Sequence, residues 1–129
     1  MTQRRIAVDF DGVIHDYKEG YKGGVLYGDV VLGTRAALAT LTELGFEVYI
    51  FTSRLVEKDR TQTEIWEVKQ ALTHWLEEHG IYRSTHYHDM TGHKIGALAY
   101  IDDRGIRFTN WPEVMLFLNK EFTTNESHD

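Results

Sequence analysis

The sequence predicts an α/β protein with a mostly parallel central sheet, in a three-layer, Rossmann-like arrangement with helices on both faces. Three observations lead there. Apolar runs at residues 6–8, 47–51 and 97–101 have the length of strands and suit a buried parallel sheet. Amphipathic helical patterns separate them, and a glycine closes two of those patterns. The alternation of strand and helix calls for right-handed crossovers, which bring the C-terminal ends of the strands to one edge of the sheet.

Each element follows in chain order. The first strand, Ile6-Ala7-Val8, stops on two carboxylates, Asp9 and Asp11, and then Gly12. Residues 13–29 hold Gly20, Gly23, Gly24 and Gly28 together with Tyr17, Tyr21 and Tyr27. They have no helical period, so a loop, flap or small hairpin is expected there. Residues 34–44 read as a helix with Ala37, Leu38, Leu41 and Leu44 on one face and Gly45 as the stop. Residues 47–51 are the second strand, ending at Thr52-Ser53-Arg54. A longer helix over residues 60–79 follows from the stripe Ile65, Val68, Leu72, Trp75 and Leu76, with Gly80 after it and Trp66 off the stripe. Residues 81–90 are ambiguous, and a short strand is expected around His86-Tyr87-His88. Residues 97–101 form another buried strand that ends on Asp102-Asp103. Asn110 can cap the last helix, where Pro112 fits the first turn and Glu113 completes a variant capping box. Val114, Leu116, Phe117 and Leu118 give that helix its docking surface. One domain over residues 1–122 and a fraying polar tail at 123–129 complete the plan.

Composition narrows the function classes. At 129 residues, 42% hydrophobic and 26% charged, the chain has the make-up of one globular domain. No apolar segment approaches the roughly 20 residues that span a bilayer, so no membrane partner is expected. The start lacks a long apolar core and a small-residue cleavage site, and the expected location is the cytoplasm. Zero cysteines exclude disulfides, thiolate metal sites and a cysteine nucleophile. A net charge of −6 counts against nonspecific nucleic-acid binding, without excluding a nucleic-acid substrate.

Two carboxylates at a strand end repel each other unless a cation or proton lies between them. An Asp-rich turn is the plain alternative, because Asp and Gly are ordinary turn formers. The rest of the chain favours the site. A parallel sheet would bring Asp9, Asp11, Thr52, Asp102 and Asp103 to one edge, with Lys94 just before the last acidic strand. Asp9 and an acid from the 102–103 pair offer the hard oxygens that suit Mg²⁺. A carboxylate there can attack phosphorus, and Asp11 can protonate the leaving oxygen. Thr52 and Lys94 can neutralise the oxygens of the transferring group.

This order of motifs resembles the haloacid dehalogenase-like (HAD) superfamily, over nearly the whole chain. Asp9-Phe10-Asp11-Gly12-Val13 looks like its first motif, Phe51-Thr52-Ser53-Arg54 its second, Lys94 its third and Tyr100-Ile101-Asp102-Asp103 its fourth. The resemblance implies a Mg²⁺-dependent phosphatase with Asp9 as nucleophile and Asp11 as acid/base. It implies that Asp9, Asp11 (through its main-chain carbonyl), Asp102 and Asp103 hold the metal. It assigns phosphate or substrate contacts to Phe10, Gly12, Thr52, Ser53, Arg54 and Lys94. With little room between the motifs, no separate cap domain is expected. That admits a large or exposed phosphorylated substrate, such as a nucleotide, a nucleic-acid end or a phosphoprotein, or a cap function from another copy in a homo-oligomer. A polynucleotide 3′-phosphatase is the narrower alternative, and a non-catalytic metal- and phosphate-binding module comes from another class.

Other residues have plainer readings. His86 and His88 alternate on one strand face and, with His93, suggest a zinc site, but the ligand set is loose. The tyrosines of residues 13–29 suit either stacking on a base or packing of their own loop, and packing is the simpler reading.

Overall fold

The computed structural model describes residues 4–93, 95–102, 106–107 and 110–118. Strands β1 (Arg5–Asp9), β2 (Glu47–Phe51), β3 (Asp89–Thr91), β4 (Ala99–Asp102) and β5 (Ile106–Arg107) form one sheet in the order β3-β2-β1-β4-β5. Every pairing in it is parallel. Helices α1 (Thr34–Glu43), α2 (Gln62–Glu78) and α3 (Trp111–Leu118) complete an α/β fold consistent with a Rossmann-like arrangement.

β1 is the central strand, which is why Ile6, Ala7 and Val8 are all buried where an edge strand would alternate. Register places Ile6 between Val48 and Ala99, and Val8 between Ile50 and Ile101, while Ile50 meets Met90. These residues share one face by alternation, and all belong to the core. Ala37, Leu38 and Leu41 of α1, Leu72, Trp75 and Leu76 of α2, and Trp111, Val114 and Leu118 of α3 join the same cluster. The steps β1 to β2 and β2 to β3 run in one direction, so right-handed crossovers put α1 and α2 on the same face. α3 packs beside α1, and the Trp111 indole donates to Thr34 Oγ1 at 2.8 Å.

Here the expectation of three layers needs correcting. Among the described residues all three helices cover a single face. On the other face Ala7 is buried, but Tyr49 and Tyr100 remain half-buried. The cause lies in the β3–β4 connection, whose described residues contain no helix to lay across that face.

The helix ends obey local chemistry. Thr61 and Glu64 form a reciprocal capping box at the start of α2, with Oγ1 accepting from the Glu64 amide at 3.1 Å. Asn110 accepts from the Glu113 amide at 3.0 Å, as the sequence predicts for α3. Leu44 falls at the C-cap of α1 and is 46% exposed, so it lies off the buried face assigned to it. The strand expected at 86–88 is displaced to Asp89–Thr91, because pairing with β2 starts only when the His88 amide reaches the Val48 carbonyl at 2.7 Å. The strand expected from residue 97 begins at Ala99, with Leu98 exposed. The two-residue β5 has no counterpart in the sequence reading.

Candidate active site

The sheet order reverses direction beside β1: the chain steps outward to β2 and β3, then returns on the other side as β4. Ligands of open parallel sheets bind in the crevice outside such a switch point, at the carboxyl ends of the strands. Here Asp9 and Asp102 occupy it. Val8 pairs with Ile101, and Asp9 and Asp102 stand one residue further along each strand. They share the face that carries Ala7 and Tyr100, the one no described helix covers. Asp9 is half-buried and Asp102 is 9% exposed.

Thr52 follows the end of the next strand over, β2, and is 3% exposed. Its amide donates to the Thr91 carbonyl at 3.0 Å, and its Oγ1 accepts from the Arg54 amide at 3.1 Å. The hydroxyl therefore caps a single 3-10 turn, Ser53–Leu55, and keeps its own proton to donate. Ser53 is exposed on that turn. Gly92 lets the turn approach the sheet: a Cβ there would lie 2.7 Å from the Leu55 carbonyl.

A second group forms around Asp11. Arg54 grips it with a two-pronged fork, Nε to Oδ2 at 3.0 Å and Nη2 to Oδ1 at 2.9 Å. His15 Nδ1 lies 3.1 Å from Oδ1. Its Nε2 faces the Tyr27 carbonyl at 2.8 Å; a carbonyl only accepts, so Nε2 carries a hydrogen. Arg54 is 6% exposed and His15 is fully buried, with its ring stacked on Phe10. A carboxylate has about four acceptor sites. The Arg54 fork takes one site on each oxygen and His15 Nδ1 lies against Oδ1, so the site open to a further group is on Oδ2.

Residues 13–29 fold back onto this group. The His15–Val30 bridge closes the base of the segment, and Arg54 Nη1 donates to the Gly24 carbonyl at 3.1 Å. The Tyr21 ring lies over the guanidinium, 5.6 Å away, and is 57% exposed. Tyr27 packs the loop, its hydroxyl donating to the Gly20 carbonyl and accepting from the Glu19 amide.

Two roles assigned from sequence meet different surroundings. Phe10 has its ring in the core and its amide on the Phe51 carbonyl at 3.0 Å, so it anchors the loop where a phosphate or substrate contact was expected. The Gly12 amide is donated to the His15 carbonyl at 2.8 Å, and a φ of +87° explains glycine there. Lys94 and Asp103 lie outside the described residues. The histidines disperse: His86 accepts from the Tyr82 amide, His88 rests against Tyr49, and His93 lies beside Glu57.

Sequence reasoning missed His15 altogether and gave Arg54 no partner. The only signal was spacing. His15 sits four residues after Asp11, and Arg54 two after Thr52.

No protein-family model and no curated protein matches the chain. The donor set suits Mg²⁺, which takes one or two carboxylates and fills its remaining positions with water and phosphate oxygens. Asp9 and Asp102 are the carboxylates that could supply such oxygens. No cluster of three His, Asp or Glu side chains that could hold a metal ion forms among the described residues. The Asp11 side chain is engaged by Arg54 and His15, and its main-chain carbonyl could serve a cation instead.

Proposed function

We propose that the chain is a phosphomonoester hydrolase of the HAD-like, capless kind, dependent on Mg²⁺ and working through a phosphorylated Asp9. The observation that carries this reading is the pair Asp9 and Asp102 at adjacent strand ends of the switch-point crevice. Mg²⁺ held by Asp9, Asp102 and the Asp11 carbonyl would neutralise charge on the phosphoryl oxygens. The Asp9 carboxylate attacks phosphorus and the ester P–O bond breaks. Asp11 gives its proton to the departing oxygen. A water molecule then loses a proton to Asp11 and attacks the aspartyl-phosphate, releasing inorganic phosphate and restoring Asp9. The buried Thr52 hydroxyl donates to a phosphoryl oxygen, and Lys94 adds positive charge. The free acceptor site on Asp11 Oδ2 is where the leaving oxygen's proton is exchanged.

A sheet face that no described helix covers supports substrates larger than a small metabolite, such as nucleotides and nucleic-acid 3′-phosphates. The first test is turnover of an aryl phosphate with Mg²⁺ and with EDTA. Activity is expected only with the metal, and Asp9→Asn is expected to lower kcat by roughly a thousandfold or more. Undiminished turnover in Asp9→Asn would sink the assignment. A panel that includes 3′-phosphorylated oligonucleotides then sets the substrate class, and metal affinity with no turnover across the panel would favour a binding module.

A further inference from the structure

Of the buried ionisable side chains, His15 has no part in the chemistry above, yet it touches the acid/base and the flap at once. Its ring is fully buried, stacked on Phe10 at 5.4 Å and 8° and met edge-on by Trp75, Tyr17 and Tyr27. Such packing fixes the ring plane, and the plane fixes the directions of both nitrogens. Nδ1 points at Asp11 Oδ1 at 3.1 Å and Nε2 at the Tyr27 carbonyl at 2.8 Å. The main chain repeats the link: the His15 carbonyl accepts from Gly12, and His15 bridges to Val30.

We propose that His15 is a positioning residue that orients the Asp11 carboxylate for proton transfer and ties residues 16–29 to it. The Arg54 fork holds one edge of the Asp11 carboxylate, and His15 adds a contact on Oδ1 from a second direction. Together they direct the open acceptor site of Oδ2. Because Arg54 also holds Gly24, the flap is tied to Asp11 at two points, Gly24 and Tyr27. The orienting role rests on the phosphatase reading; the flap link does not.

The test uses His15→Phe, which keeps a flat ring on Phe10 and removes both nitrogens. For kcat/KM, which reads the steps through departure of the leaving group, alkyl phosphates need a proton donor and p-nitrophenyl phosphate does not. His15→Phe should lower kcat/KM about ten- to a hundredfold for alkyl phosphates and less than about threefold for the aryl ester. An equal loss on both substrates would mean general damage and overturns the orienting role. Hydrogen exchange at the Asp16, Glu19, Gly20 and Val25 amides should speed up in His15→Phe and in Asp11→Ala, and unchanged exchange overturns the flap link. If His15→Phe does not fold, His15→Asn replaces it, since its shorter side chain cannot reach Asp11 Oδ1 and the Tyr27 carbonyl together. Should the wild type turn over no phosphate ester, the phosphatase reading fails. The orienting role falls with it, and the exchange measurement alone decides the flap link.

Discussion

At the scale of single residues, the site depends on who holds the carboxylates. Arg54 meets Asp11 with the planar fork that only arginine offers, and Arg54→Lys would replace two directed bonds with a point charge. A residue away from the site gives the clearest pH prediction. Burial holds His86 below the ordinary histidine value of 6.5, and the nearby Arg35 cation adds to that. Its Nδ1 accepts the Tyr82 amide, which a protonated nitrogen could not do. The unfolded chain therefore takes up this proton at a higher pH than the folded one, so acid favours unfolding. The contribution is full above 6.5 and is lost as pH falls through the lower folded value. Thermal melts over pH 7 to about 5 should fall less steeply in His86→Gln. A slope identical to the wild type would contradict this. Asp89 does not blur the reading. Burial pushes its carboxyl up, but the Met90 amide and the Lys69 ammonium outweigh that and hold it below 3.8, outside the window.

At the scale of elements, two substitutions separate fold from site. Thr61→Ala removes half of the capping box and should cost about 1 kcal/mol of stability with catalytic constants unchanged. Gly92→Ala pushes a methyl against the Leu55 main chain, which holds the turn bearing Thr52 and Arg54. It should cost about 2 kcal/mol and also raise KM, because that turn must move. Chemical denaturation beside steady-state kinetics checks both, and unchanged KM in Gly92→Ala would contradict the second. The elements legible in the sequence were those with enough length to show a period. α1 and α2 carry their stripes and glycine stops, and β1 has an apolar centre. α3 starts at its predicted cap, but of its four expected docking residues only Val114 and Leu118 are buried, with Leu116 and Phe117 exposed. β3 was misplaced because three residues with one buried side chain, Met90, have no period to read. His86 and Tyr87 look like strand residues but are buried in the turn before it, where Arg83 bridges to Tyr87.

At the scale of the whole molecule, strand order converts scattered residues into a site. Asp9 and Asp102 are far apart in sequence and meet because β4 returns beside β1. That convergence follows from parallel topology, so Asp9, Thr52 and Asp102 could be placed from the sequence. The Asp11–Arg54–His15 group could not. It depends on how an aperiodic loop folds back on a buried arginine, and no local pattern encodes that. The face that no described helix covers was equally hidden, since it follows from a β3–β4 connection whose described residues contain no helix. Asp9 is proposed to carry the phosphoryl group. Rapid acid quench of a reaction with a radiolabelled phosphate ester and Mg²⁺, followed by peptide mapping, tests it most directly. Label on the peptide containing Asp9, absent in Asp9→Asn and absent with EDTA, is the predicted result. Metal-dependent turnover with no label on that peptide, and with Asp9→Asn as active as the wild type, would contradict it.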